Sequence, residues 1–371
     1  MRRTVLSRLL PWFDKNRRVL PWRTLRTPYR VLVSEFMLQQ TRVETVTPYF
    51  RRFLRRFPTL SSLARAEGSE VLKLWEGLGY YTRARNLHRI AKTLVLEQGG
   101  RFPKTAAEWI TFPGVGPYTA AALASLIDGE NTGVLDGNVA RVLCRLFTVN
   151  ERPAVAAVRR KLTDLALALL PRGRAGPFNE AMMELGALVC TPRQPKCPSC
   201  PFHKVCRARL AGDPGAYPRR SPTRRIPELE VGAAVIFNSR GEILIARRLE
   251  KGMLGGLWEF PGGKREADET LPECIRRELI EEMGIELEVG ERLTVIRHAY
   301  SHFRIRLIAH RAKVIRGRPR CLHCAGFAWV KPEAFDEYAF SRADRILIER
   351  VFESPGEEGR SHDPRRRSAT R

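Results

Sequence analysis

Four groups of residues in this 371-residue chain combine side-chain types and spacings that suit chemistry. Glu35, in SEFMLQQT, shares a helical stripe with Val31 and Leu38, so its carboxyl faces apolar neighbours. Desolvation there raises a carboxyl pKa and keeps a proton available near neutral pH. Asp136, in LDGNVARVL, stands at the mouth of another helix, where an aspartate commonly serves as a simple N-cap. Two carboxyls in different surroundings can also divide the labour of breaking a glycosidic bond, one as acid and one as anion beside an oxocarbenium ion. Cys190, Cys197, Cys200 and Cys206 crowd into 17 residues at intervals of six, two and five. That is a metal pattern, and four thiolates on a proline-stiffened loop suit a tetrahedral zinc ion or a cube of iron and sulfur. Finally, Glu278, Glu281 and Glu282 fall at i, i+3 and i+4, on one helix face, where they could gather Mg2+ against a pyrophosphate or simply be solvated.

The elements that must position these groups change character along the chain. From residue 1 to about 210 apolar residues recur at helical spacing, which predicts an all-α domain. Within it TFPGVGPYTAA places Gly114 and Gly116 in a turn before a helix opened by Pro117, so backbone amides and a positive helix end could meet a phosphate. Residues 211–228, rich in proline, glycine and arginine, read as an exposed linker able to lie along phosphates. From 229 to 353 VGAAVIF, EILIARR and RLIAHRAKVI read as strands around the acidic helix, predicting an α+β domain. Residues 354–371 have almost no apolar content and read as a disordered basic tail. Lys plus Arg exceed Asp plus Glu by 65 to 40, a balance of +25 that points to an anionic partner, with nucleic acid ahead of an acidic membrane surface. No apolar run approaches the roughly 20 residues of a membrane span, so the expected location is the cytoplasm, associated with the nucleoid.

The cysteine spacing resembles the loop of the endonuclease III superfamily of DNA glycosylases, and GVG before a helix resembles its helix-hairpin-helix. LPWR, SEFMLQQT, GLGYYTRARNL, FPGVGPYTA, LDGNV and FNEAMMELGALVC extend the likeness, so that residues 1–353 resemble a MutY-type adenine DNA glycosylase. The resemblance implies a 4Fe-4S cluster on the four cysteines, with Arg193 and Lys196 presenting charge to a DNA backbone. It implies that Glu35 protonates adenine, that Asp136 stabilises the cationic sugar, and that Tyr118 and Asn138 help hold water, sugar and acid. Trp22, Arg23 and Glu180 would line the pocket for the flipped base, and Gln40 and Tyr80 would enter the stack around the opposing one. Tyr118 stands where strand-nicking relatives carry a lysine, and a tyrosine cannot form a Schiff base, so water-mediated base removal with little lyase activity is expected.

Residues 229–353 resemble the Nudix-like domain with which such glycosylases recognise 8-oxoguanine, and Ser301 and His302 in HAYSHFRI match its reading pair. Tyr300 stands where phenylalanine is usual. The Nudix box, generally eroded in this family, is complete here from Gly263 through Glu269 to Arg277-Glu278 and Glu281-Glu282, closing on Gly284. WEFPGGK also resembles MutT-type hydrolases of 8-oxo-dGTP. The expectation is therefore a monomer acting on duplex DNA with 8-oxoguanine:adenine or guanine:adenine mispairs, with Mg2+-dependent nucleotide hydrolysis as the alternative second activity. Cys321 and Cys324 carry no assignment, and Cys144 is expected in the core.

Overall fold

Local punctuation sets where the site-bearing helices begin. The Thr27 hydroxyl accepts from the Arg30 amide at 3.2 Å and Pro28 takes the first helical position, which opens the helix Pro28–Leu38. Gly116 is the extended N-cap of Pro117–Ile127, and Asp136 caps Gly137–Phe147. In the computed structural model residues 2–219, 226–300 and 303–353 are described, and the chain divides into two units, Met1–Arg224 and Arg225–Arg371.

The described part of the first unit is built of helices, with no strand. One apolar cluster gathers Leu9, Leu143, Leu162, Phe178 and Leu185 from four helices, with Cys144 among them. Each such fully buried side chain stabilises the unit by about 1.5–3 kcal/mol. Residues 211–219, expected as linker, are partly folded onto this unit. Tyr217 packs against the core cluster, its carbonyl accepts from Arg145 Nε at 3.1 Å, and the Arg219 amide donates to the Asn150 carbonyl at 2.8 Å. A single aromatic anchor and two backbone bonds outweigh the proline- and arginine-rich composition there.

The second unit holds seven strands: β1 (Glu228–Ile236), β2 (Ile243–Arg247), β3 (Trp258–Glu259), β4 (Gly262–Lys264), β5 (Glu286–Ala299), β6 (Arg304–Arg316) and β7 (Gly326–Val330). They form a sheet ordered β4-β1-β6-β5, in which β1 and β6 are parallel, and a sheet ordered β3-β2-β7. Alternate residues serve opposite faces. Ala233, Val235, Ile243 and Ile245 join one core with Leu347 of the helix Arg342–Ile348. Ala234, Ile236, Leu244 and Ala246 join another with Ile275, Leu279 and Met283 of the helix Leu271–Met283. Burying the 275-279-283 ridge turns the glutamates at 278, 281 and 282 away from that core. Thr270 and Glu273 form a capping box at the start of this helix, and Gly284, at φ 66°, ends it in the left-handed conformation.

Ser301, His302 and the 354–371 tail lie outside the described residues. No helix among the described residues is long and apolar enough to cross a membrane.

Candidate active site

A cavity of about 530 Å³ in the helical unit is lined by Trp22, Arg23, Glu35, Tyr118, Asp136, Asn138 and Glu180, bringing together side chains from five separate segments. Glu35 is 6 % exposed. Burial first, then the nearby Glu180, pushes its carboxyl up to about 7, while the hydrogen bond from Tyr118 Oη to Oε2 at 3.3 Å opposes the shift. The group is thus poised to hold a proton near neutrality and to release it. Tyr118, buried between Glu35 and Asp136, is held well above the ordinary phenol range and stays a neutral donor.

Asp136 is an N-cap with both carboxylate oxygens engaged. Its Oδ1 accepts from the Val139 amide at 2.7 Å as an N-cap, and its Oδ2 accepts from Asn138 Nδ2 at 2.9 Å. Burial raises its pKa, and these two donors counter the rise. The capped carboxylate sits at a helix N-terminus, a setting that favours an anion.

The cavity wall is held by an ion network broader than the sequence suggested. Arg23 Nε donates to Glu180 Oε1 at 3.0 Å and Arg23 Nη2 to Glu184 Oε2 at 3.2 Å. Arg26 donates to Glu180 Oε2 at 2.8 Å. Arg18 binds Glu184 through its backbone amide and both ends of its guanidinium at 2.8–2.9 Å. Burial alone would raise the Glu184 carboxyl, but the hydrogen bonds from Arg18 and Arg23 bring it down to about 2. Trp22 packs edge-on to Phe50 at 5.3 Å, so it is both core and cavity wall. Arg18, Arg26 and Glu184 were not singled out in the sequence. Glu180 and Glu184 at i and i+4 were the available signal.

Asn138 is oriented from behind. Its Oδ1 accepts from Arg141 Nη2 at 2.9 Å, while Arg141 Nη2 and Nε donate to the carbonyls of Gly186 and Cys190, both at 2.7 Å. Gly186 has to be glycine for this approach, because a Cβ there would lie 2.6 Å from that of Asn138. One turn on, Arg145 donates to Cys190 Sγ at 3.2 Å and to the Thr191 carbonyl at 2.7 Å. A continuous chain of contacts therefore runs from the first cysteine of the loop to Asp136.

Cys190, Cys197, Cys200 and Cys206 are unpaired, half-buried and line one depression after the helix Ala175–Leu188. Burial, with the other three thiols nearby, pushes Cys200 up to about 12, so the set needs a strongly cationic occupant to ionise. Among the described residues no three His, Cys, Asp or Glu side chains converge closely enough to hold a single ion. Arg193 and Lys196 are exposed on this loop.

Beside the cavity, a second depression of about 760 Å³ shares Gln40, Tyr118 and Asp136 with it and reaches Gly114 and Gly116. Gly114 lies at φ 76°, where a Cβ would also strike Asn86, while Gly116 opens onto free space. Gln40 and Tyr80 are both exposed and both left-handed, at φ 58° and 51°.

In the second unit the acidic helix has the expected face, but its carboxyls are engaged. Arg277 pairs with Glu269, Glu278 and Glu281 at 2.7, 3.1 and 3.4 Å. Burial, then Glu278, pushes Glu282 up to about 7. Glu259, part of the quoted WEFPGGK but given no role in the sequence, is pushed up to about 8 by burial despite its pairing with Arg248. Tyr300 itself is packed, with its ring 5.0 Å from that of Phe303 and its amide donating to the Phe303 carbonyl at 2.9 Å. Cys321 and Cys324 form a disulfide.

The family described as HhH-GPD superfamily base excision DNA repair protein matches residues 33–166, and the NUDIX domain family matches 232–350. The chain is 36 % identical over 404 aligned positions to the human adenine DNA glycosylase, covering 93 % of this chain and 73 % of the relative. The chain belongs to the adenine DNA glycosylases. It is also 32 % identical to the adenine DNA glycosylase of Buchnera aphidicola subsp. Acyrthosiphon pisum, over 82 % of this chain and 85 % of that one. The structure of a thermostable thymine-DNA glycosylase matches 57 % of the chain at 30 % identity, with a TM-score of 0.51 and 97 % of that chain covered.

Proposed function

We propose that the protein removes adenine from duplex DNA where it faces 8-oxoguanine or guanine, by hydrolysing the N-glycosidic bond. The observation that carries this reading is the shared cavity of Glu35 and Asp136, one carboxyl poised at about 7 and the other held by a helix N-terminus. As the bond breaks, its electron pair passes to the base and the Glu35 proton goes onto a ring nitrogen. The oxocarbenium ion left behind faces Asp136. Water then adds to the sugar and its proton returns to Glu35, with Tyr118 and Asn138 orienting the acid and the anion. No lysine lines the cavity among the described residues, which supports water rather than an amine as the nucleophile.

The four cysteines would hold a 4Fe-4S cluster, which supplies a rigid, charged support for the loop that presents Arg193 and Lys196. Recognition of the opposing base by Ser301 and His302 rests on the sequence resemblance. Adenine release from an 8-oxoguanine:adenine duplex, single turnover, tests the reading: Glu35→Gln should slow it by about 10²–10⁴-fold. A parent protein that releases no adenine from this duplex would sink it.

A second reading has its own support. Glu282 is a half-buried carboxyl that repels both Glu278 and the half-buried Glu259, a repulsion that a divalent cation would relieve. On that reading Glu278, Glu281 and Glu282 take up Mg2+ and the second unit hydrolyses 8-oxo-dGTP. Product formed by the parent with Mg2+ and lost in Glu282→Gln is the expected result; no product from a preparation active on the mispair rejects it.

A further inference from the structure

We infer that Arg83 is a positioning residue that locks the two wedge turns, one bearing Gln40 and the other Tyr80, into the left-handed backbone that sets both side chains for entry into a DNA stack. The inference rests on the base-excision reading above. Gln40 and Tyr80 are separated by 40 residues in sequence, yet both adopt positive φ without being glycine. Such backbone persists only where its surroundings over-determine it.

One guanidinium supplies that restraint to both turns. Arg83 Nη1 donates to the carbonyls of Phe36, Met37 and Gln39 at 3.2, 2.6 and 2.5 Å. These are the end of the helix Pro28–Leu38 and the residue before Gln40, where carbonyls lack helical partners. Nη2 donates to Leu78 and Gly79 at 3.2 and 2.8 Å, and Nε to the Tyr80 carbonyl at 3.4 Å. Each turn thus places three carbonyls on one planar fork. The cation also lies 5.5 Å from the Trp75 ring centroid and 5.3 Å from that of Tyr80.

Burial makes the arrangement demanding. Arg83 is 6 % exposed whereas Tyr80 above it is 37 % exposed, so a buried charge underlies a ring that faces solvent. Its partners are carbonyl dipoles and ring faces, which fix direction as well as charge. Trp75 Nε1, donating to the Gly79 carbonyl at 3.2 Å, braces the same turn. A lysine would keep the charge, but its compact ammonium cannot span two sets of three acceptors.

The test compares single-turnover adenine release by the full-length parent and Arg83→Lys on two duplexes. One carries adenine opposite 8-oxoguanine, the other adenine opposite an abasic site, where no opposing base is stacked. Loss of one stacked wedge predicts a fall of about tenfold or more on the first duplex and less than about threefold on the second. In a Tyr80→Ala background, where only the Gln40 wedge is left to position, Arg83→Lys should cost less than it costs the parent. Arg83→Gln repeats the comparison if the lysine variant lacks the circular dichroism of the parent. Equal losses on both duplexes, or full additivity with Tyr80→Ala, overturn the inference while leaving the functional reading intact. A parent inactive on both duplexes overturns the functional reading and the inference with it.

Discussion

In the helical unit Glu35, Asp136, Glu180 and Glu184 come from two helices and the N-cap of a third, and they end in unlike electrostatic settings. In the second unit Glu278, Glu281 and Glu282 come from two turns of a single helix and share one face. The first set is differentiated: Glu35 is raised to about 7 by burial, while Glu184 is brought to about 2 by two arginines that overcome its burial. The second set is regular in spacing, and a single guanidinium, Arg277, pairs with two of its members. Division of labour between an acid and an anion requires unlike environments, which come from unlike elements. Gathering one hard cation requires like groups side by side, which a helix supplies unaided.

The contrast is sharpest at Asn138, which is held by Arg141 one turn along its own helix, itself anchored on the Gly186 and Cys190 carbonyls of a distant segment. Arg141→Gln should slow adenine release by about 10–100-fold, the usual cost of losing a group that orients an active-site side chain. The loss should appear as a lower single-turnover rate with the circular dichroism of the parent retained. An unchanged rate would mean that Asn138 is oriented by Asp136 alone.

A smaller effect depends on pH. The folded Glu35 carboxyl sits above its unfolded value of 4.5, so it contributes stability that is fully present below about 4.5 and is lost as pH rises through about 7. Relative to Glu35→Gln, the parent should therefore lose on the order of 2–3 kcal/mol between pH 4.5 and pH 8, read as converging and then crossing melting temperatures. The adenine-release rate should fall about tenfold per pH unit above 7 as the acid is deprotonated. A flat profile through that range would break the assignment of Glu35 as the proton donor.

The smallest effect belongs to the acidic helix. Glu282→Gln should leave adenine release within about twofold, because nothing in the helical cavity depends on it. A larger loss would show that the two carboxylate sets are not independent.

Much of the architecture was legible because it is encoded locally. The change from helical to alternating period near residue 229, the Thr27-Pro28 start and the Gly284 stop each depend on neighbours within a few residues. Glu35 was legible for the same reason, since a carboxylate on an apolar helical stripe is forced inward. Residues 211–219 were not, because Tyr217 finds its pocket on helices formed by residues far upstream.

The sequence by itself determined which residues could react: a buried glutamate, a capping aspartate, four cysteines on one loop and an acidic helix face, all properties of short segments. Only the tertiary structure decided how they are held. Arg18, Arg26, Arg83, Arg141 and Arg145 are five arginines in a chain rich in them, and nothing local distinguishes them from the charges that face solvent. Their roles arise from acceptors brought to them across as many as 166 residues of sequence, as for Arg18 and Glu184. A guanidinium's planar fork has value only once those acceptors converge, and convergence is a property of the packed core.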